Sequence, residues 1–163
     1  MKTTILTNKN SWVYPYILQY IKGTQIKVRF NHEDIKKGDV LIILSYEKII
    51  SQSILKHNKH NLVVHSSDLP HGKGWSPIAW QILEGKESYI NTLFEATEKA
   101  DAGDIYFQDE VKLDGTELID EIRKKDIEST FRLIEGFLAK PDLKGIKQIG
   151  QESFYKKRTR EEC

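Results

Sequence analysis

The sequence predicts an α/β domain with a largely parallel central sheet flanked by helices, and three observations predict it. Short apolar runs alternate with helix-like stretches along most of the chain. One of them, Asp39 to Ser45 (DVLIILS), is continuously apolar at its centre, as a strand covered on both faces must be. The length of 163 residues matches one ordinary domain and is enough to bury a core.

Each element follows in order. Thr3 to Leu6 reads as a first strand and Trp12 to Ile21 as a helix stopped by Gly23. Gln25 to Phe30 places Ile26, Val28 and Phe30 on one face and suits a second strand. After the Asp39 to Ser45 strand comes a helix from Glu47 to His57, then a buried strand, Asn61 to His65 (NLVVH), ending in a histidine. Open α/β sheets place their ligands at such strand ends. Ser76-Pro77 has the form of an N-cap with Pro in the first turn, opening a helix through Leu83 that stops at Gly85. Ser88 to Glu95 and Asp104 to Gln108 are further strands. From Gly115 to Leu138, Leu118, Ile119, Ile122, Ile127, Phe131, Leu133, Ile134 and Phe137 recur at helical spacing. Trp80 falls inside the short helix as a core residue, and the basic tail from Gln151 reads as irregular.

Composition narrows the function. Lys+Arg of 25 against Asp+Glu of 24 leaves a formal charge of +1, without the positive excess that holds a nucleic-acid polyanion. The single cysteine is Cys163, which excludes an internal disulfide and a thiolate zinc cluster and fits a reducing compartment. The N-terminus turns polar at Asn8-Lys9-Asn10, too soon for a signal peptide, and no apolar run reaches membrane-span length. A cytoplasmic protein with no metal motif, no nucleic-acid partner and no membrane partner is expected, with a C2 homodimer as the default assembly.

Two places carry chemistry: His65 at a strand terminus and the segment Lys99 to Asp104. A strand-end histidine read alone is as open to a hydrogen-bonded structural role as to a chemical one. Asp101-Ala102-Gly103-Asp104 alone reads better as a turn, since Asp bonds its own backbone and Gly accepts positive φ.

Together with their surroundings these residues resemble a known family. Val64-His65-Ser66-Ser67-Asp68-Leu69-Pro70, then Gly74, Pro77, Gly85, Thr92 and Asp101-Ala102-Gly103-Asp104-Ile105, are similar to the formyltransferases that use 10-formyltetrahydrofolate. The 36 residues from His65 to Asp101 are the usual spacing of that family. The resemblance covers Asp39 to Gln108 and recurs in the tail, where Tyr155-Lys156-Lys157-Arg158-Thr159-Arg160-Glu161-Glu162 is similar to a basic segment many members carry. In wording it is nearest to small bacterial sugar N-formyltransferases of the pseudaminic-acid type. It implies a Rossmann-like formyltransferase fold, with a catalytic domain over residues 1–150 and a basic tail over 151–163. With 62 residues before Val63, it also implies an N-terminal half shortened by about a βα unit, in a chain either minimal or cut short.

Formyl transfer to an amine passes through a tetrahedral intermediate, so a site must stabilise an oxyanion and take a proton from the attacking nitrogen. The resemblance implies that His65 contacts the oxyanion as a donor or moves protons. It implies that Asp101 orients His65, raises its pKa by opposite charge, and accepts the amine proton directly or through a water. One position departs from the family: Val63 stands where a catalytic Asn is expected, and losing one oxyanion donor costs on the order of 100-fold in rate. Asn61 lies on the same side of the strand, but roughly 13 Å from residue 65 at strand rise, too far to substitute. Ser66, Ser67 or a loop N–H are nearer, and a binding homologue with lost turnover is the alternative.

The resemblance further implies that Leu44, Ser45, Tyr46, Lys48 and Ile49 on one side, and Ala96, Thr97 and Glu98 on the other, hold the folate. Ile49 and Ile50 read alone are ordinary helix core. For the acceptor, the first turn lacks phosphate-cradling glycines but offers Asn8, Lys9 and Ser11, though read alone a solvated turn capped by Ser11 is the better reading. Ser66, Ser67, Lys73 and Trp75 border the histidine, Lys73 suiting a diphosphate and Trp75 a sugar face or base. The expected acceptor is a nucleotide-linked deoxyaminosugar for polysaccharide or flagellar glycan building blocks, with another small amine as the alternative and tRNA disfavoured by charge and length. The basic tail either approaches a nucleotide phosphate or is a solvated end.

Overall fold

The computed structural model describes residues 1–159, so Arg160, Glu161, Glu162 and Cys163 of the expected tail lie outside the described residues. The chain forms a mixed α/β fold whose contacts divide the described residues into two units, one of residues 1–63 with 95–99, the other of 64–94 with 100–159.

In the first unit, β1 (Thr3–Leu6), β2 (Lys27–Arg29), β3 (Gly38–Ile43) and β4 (Asn58–His65, shared with the second unit) lie in the order β2-β1-β3-β4. All three pairings are parallel, with Ile5 opposite Ile42 and Ile43 opposite Val63. The order reverses at β1, which has β2 on one side and β3 on the other, making a switch point where α/β sheets bind ligands. β1 is buried throughout, and Val40, Leu41 and Ile42 of β3 are fully covered, as the continuous apolar run requires. Helix α1 (Tyr14–Tyr20) starts with Pro15 in its first turn and buries Ile17.

The helix expected from Glu47 to His57 is only α2 (Gln52–Leu55), a single turn. The Glu98 carboxylate takes the Gln52 N–H at 3.0 Å and the Asn61 amide donates to the Leu55 carbonyl at 3.1 Å, so both ends are closed by side chains. Ile50 and Leu55 point into a cluster with Leu6, Ile35, Leu41 and Ile43, whereas Ile49 is 63% exposed.

The second unit holds β5 (Lys73–Gly74), α3 (Pro77–Leu83), β6 (Ser88–Glu95, its last residue in the first unit), β7 (Ile105–Lys112), α4 (Ile119–Ala139) and β8 (Phe154–Tyr155). β6 and β7 are antiparallel from Ser88–Lys112 to Phe94–Ile105, which carries β7 past the expected end at Gln108. α4 packs on β7. It buries Leu133, Ile134 and Phe137, each contributing about 1.5–3 kcal/mol, and Glu121 takes the Leu118 N–H at 2.7 Å to close its first turn. Ser76 does not cap α3: it is left-handed (φ +51°), whereas a capping hydroxyl requires an extended backbone.

The tail is not irregular. β8 pairs in parallel with β5, Lys73 opposite Phe154 and Gly74 opposite Tyr155. Trp80 is no core residue either: its indole stacks on Tyr155 at 6.4 Å and its N–H donates to the Lys156 carbonyl at 2.9 Å. No helix among the described residues is long and apolar enough to cross a membrane.

Candidate active site

The second unit brings His65 and Asp101 together. His65 closes β4, and Asp101 sits in the loop between β6 and β7 with φ +51°, a left-handed conformation that costs a non-glycine residue on the order of 1 kcal/mol or more. Nδ1 of His65 lies 3.8 Å from Oδ1 of Asp101, and the two side chains are only 11% and 16% exposed. Nε2 of His65 is 2.8 Å from the Gly72 carbonyl oxygen. A carbonyl only accepts, so the proton of a neutral His65 resides on Nε2 and the Nδ1 lone pair faces the carboxylate. The second carboxylate oxygen accepts the Gly74 N–H at 2.9 Å. One short segment, Gly72 to Gly74, therefore touches both members of the pair.

The remaining residues expected around the histidine turn elsewhere. Ser66 donates its hydroxyl to Asp126 at 3.1 Å. Ser67 is buried, with no partner for its hydroxyl among the described residues. Lys73 is 2% exposed with its ammonium 2.6 Å from Glu152, so it is not free to meet a diphosphate, a correction that follows from the tail's return to this loop. Trp75 is 39% exposed, and the Lys157 ammonium stands 4.4 Å over its ring, a cation–π contact.

In the first unit, Asn8 and Ser11 after β1 both reach Ser45 after β3, at 2.9 Å to its carbonyl and 2.7 Å to its hydroxyl, spanning the switch point. Lys9 and Lys48 are exposed, and Leu44 is buried. The Tyr46 hydroxyl is held 2.8 Å from Nδ1 of His32. Ala96 donates its N–H to the Asn61 carbonyl, and Thr97 donates its hydroxyl to the Lys99 carbonyl at 2.8 Å. Glu98, having closed α2, is engaged structurally. Val63 packs against the apolar cluster around Leu6 and Ile43.

Sequence reasoning missed Asp126 and Gln148. Asp126 is buried within α4 and accepts from Ser66, from Tyr89 at 3.3 Å and from Asn91 at 3.0 Å. Burial holds its carboxyl above the ordinary carboxylate range against the lowering effect of those donors. A carboxylate on the helix face shared by Ile122, Thr130 and Leu133 was the signal available for it. Gln148 donates to the carbonyls of Asp101 (3.0 Å) and Gly103 (2.9 Å), a role with no local sequence mark.

Comparison with known proteins agrees with this architecture. A methionyl-tRNA formyltransferase of Thermotoga neapolitana is 36% identical over 103 residues, covering 63% of this chain and 33% of that protein. One from Clostridium beijerinckii is 31% identical over 126 residues, 74% of this chain and 40% of that protein. The chain thus spans about a third to two fifths of the length of these curated relatives. Among solved structures, a methionyl-tRNA formyltransferase from Clostridium thermocellum superposes with a TM-score of 0.78 at 21% identity, over 99% of this chain and 74% of that one. The formyltransferase PseJ from Anoxybacillus kamchatkensis, solved with UDP-4,6-dideoxy-4-formamido-L-AltNAc and tetrahydrofolate, gives 0.65 at 21% identity, over 95% and 85%. These two likenesses show the fold. A family model described as formyl transferase matches residues 30–132, the stretch that holds His65, Asp101 and Asp126, and the chain belongs to that formyl transferase family.

Proposed function

We propose that the chain transfers a formyl group from 10-formyltetrahydrofolate to the amine of a nucleotide-linked deoxyaminosugar, in the cytoplasm. The observation that carries the transfer is the His65–Asp101 pair. With Nε2–H engaged by Gly72, Nδ1 of His65 faces the Asp101 carboxylate at 3.8 Å, so a proton gained at Nδ1 meets an opposite charge. Such a pair is built to receive one proton, and a primary amine attacking a formyl carbon must lose one. His65 thus moves protons rather than serving first as an oxyanion donor: the proton lost by the amine as its nitrogen bonds the formyl carbon passes to the donor's nitrogen as the old carbon–nitrogen bond breaks, and the Asp101 carboxylate balances the charge on His65 in between.

When bound, the folate supplies a formyl carbon activated on nitrogen. The residues after β3 fit its flat ring: Ile49 is an apolar side chain 63% exposed on an irregular segment, close in sequence to the anchored Tyr46. Leu44, Ser45, Tyr46, Lys48 and Ile49, with Ala96, Thr97 and Glu98 of the loop after β6, would hold it. For the acceptor, Trp75 beneath Lys157 offers an aromatic face with a cation, suited to a nucleotide base and its phosphate. The formal charge of +1 favours a small anionic acceptor over a polynucleotide.

Several relatives are named methionyl-tRNA formyltransferase, and that gives the second reading, an aminoacyl-tRNA acceptor. The test incubates the purified protein with 10-formyltetrahydrofolate and either a panel of nucleotide-linked 4-amino-4,6-dideoxysugars or methionyl-tRNA, and follows the gain of one formyl mass. Formylated sugar is expected, with His65→Ala and Asp101→Asn each lowering turnover on the order of 100-fold or more. Formylation of the tRNA alone overturns the sugar reading. Folate binding without any formylated product makes the chain a binding homologue.

A further inference from the structure

The segment from Ile146 to Tyr155 is absent from the chemistry above, yet it reaches both loops that carry the catalytic pair. Ile146 exchanges two backbone hydrogen bonds of 2.8 Å with Ile105, just past the Asp101 turn. Gln148 spans that turn, its amide donating to the carbonyls of Asp101 and Gly103. The Ser153 hydroxyl accepts the Gly72 N–H at 2.8 Å and its carbonyl accepts the Lys73 N–H at 2.9 Å. Glu152 holds the Lys73 ammonium, and the Tyr155 carbonyl accepts the Trp75 N–H at 3.1 Å. The approach is close enough to demand glycine: a Cβ on Gly74 (φ +98°) would lie 2.5 Å from the Tyr155 carbonyl oxygen.

Gly72 and Gly74 are the residues that hold His65 and Asp101. The Gly72 carbonyl selects the Nε2–H tautomer of His65, and the Gly74 N–H orients the Asp101 carboxylate. Gly72 is thus held from the tail on both sides, its N–H by the Ser153 hydroxyl and the following Lys73 N–H by the Ser153 carbonyl, while its own carbonyl binds His65. On the other side, Gln148 supplies donors to the strained backbone turn that presents Asp101.

We propose that residues 146–155 form a positioning strap for the catalytic pair, in which Ser153 maintains the Nε2–H tautomer of His65 through Gly72 and Gln148 maintains the Asp101 turn. This rests on the formyl-transfer reading for its consequence in turnover, but its effect on His65 is independent of any substrate. Neither residue touches the reacting atoms.

The test uses the full chain with Ser153→Ala, Gln148→Ala, the double variant and the conservative Ser153→Thr. Nitrogen-15 imidazole NMR reads the tautomer of each of the five histidines, His65 being identified by its loss in His65→Ala. Wild type and Ser153→Thr are expected to show Nε2 protonated and Nδ1 as the free acceptor. Ser153→Ala and the double variant are expected to show a mixture of tautomers. In formyl transfer, kcat is expected to fall about tenfold in each alanine variant with KM for the donor within about twofold, and Ser153→Thr to restore it, as a displacement of catalytic groups demands. A His65 spectrum identical to wild type in Ser153→Ala overturns the proposal, whether or not the double variant folds. If the wild type transfers no formyl group to any acceptor, the functional reading fails, while the NMR comparison still decides the strap.

Discussion

Glu152→Ala removes the carboxylate that the Lys73 ammonium meets at 2.6 Å, leaving a side chain that is 2% exposed. At that separation opposite charges attract by about 6 kcal/mol at an effective dielectric near 20 and by less than about 2 kcal/mol in bulk water. Glu152 is 42% exposed, so its own end of the pair lies toward the watery limit. The cost of the variant comes from the buried ammonium left without a partner. A fully enclosed charge in that position costs about 3–5 kcal/mol, and the solvent access on the Glu152 side reduces the expectation to about 2–3 kcal/mol. For a chain of this size that is a fall in Tm of about 4–12 °C. Lys73→Met leaves a carboxylate that water can solvate and is expected to cost about 1 kcal/mol or less. The double variant should resemble Lys73→Met alone, giving a coupling of more than about 1 kcal/mol in a double-mutant cycle read by thermal and urea unfolding. Additive effects, or a Glu152→Ala protein melting with the wild type, would refute the argument that the tail neutralises a buried lysine, and would return Lys73 to the residues available for a ligand.

Asp126→Asn tests the buried carboxyl in α4. Because burial raises the Asp126 pKa, the folded chain keeps that proton where the unfolded chain has released it, so stability falls as pH rises from the ordinary value of 3.8 through the raised one. Each unit of elevation is worth about 1.4 kcal/mol. The asparagine variant should gain on the wild type across that window and hold a constant advantage above it; parallel pH–stability profiles in denaturant would exclude the assignment. Gly74→Ala places a methyl 2.5 Å from a backbone oxygen at φ +98° and is expected to destabilise by at least about 2 kcal/mol, read by thermal unfolding, whereas Gly85→Ala, strained in φ but in open space, should cost about 1 kcal/mol. Val63→Asn sets an amide against the apolar cluster of Leu6, Ile43 and Leu55 and should cost about 1–2 kcal/mol in unfolding experiments without raising turnover; a gain in kcat would show that the missing donor limits the reaction.

Much of the first unit was legible because its signals are local. A run such as Val40-Leu41-Ile42-Ile43 has no stable alternative to a strand covered on both faces, and β1 and β3 lie within a residue or two of the expected bounds, as β6 does in the second unit. The segment that should have opened α2 was misread for the opposite reason. Ile49 and Ile50 have helical context, but the element is ended by Glu98 and Asn61, residues 46 and 6 positions away from the groups they satisfy. Ser76 fails as a cap because its backbone is left-handed, a dihedral invisible in the residue name, and its hydroxyl makes no capping hydrogen bond.

The candidate pair His65 and Asp101 stood out as two residues 36 positions apart whose spacing matched a family, and the structure supplies what spacing cannot. Which nitrogen of His65 carries the proton depends on the Gly72 carbonyl, and whether Lys73 and Ser66 are free depends on Glu152 and Asp126. By itself the sequence determined the α/β class and most strand positions, because these are written in local periodicity, and the family resemblance singled out His65 and Asp101 as candidates. Only the tertiary structure decided that a basic, irregular-looking tail pairs with the loop after His65, that a buried aspartate lies beneath Ser66, and that Gln148 holds the Asp101 turn. The physical reason is that these depend on hydrogen bonds between groups 47 to 81 residues apart, whose partners no local pattern specifies.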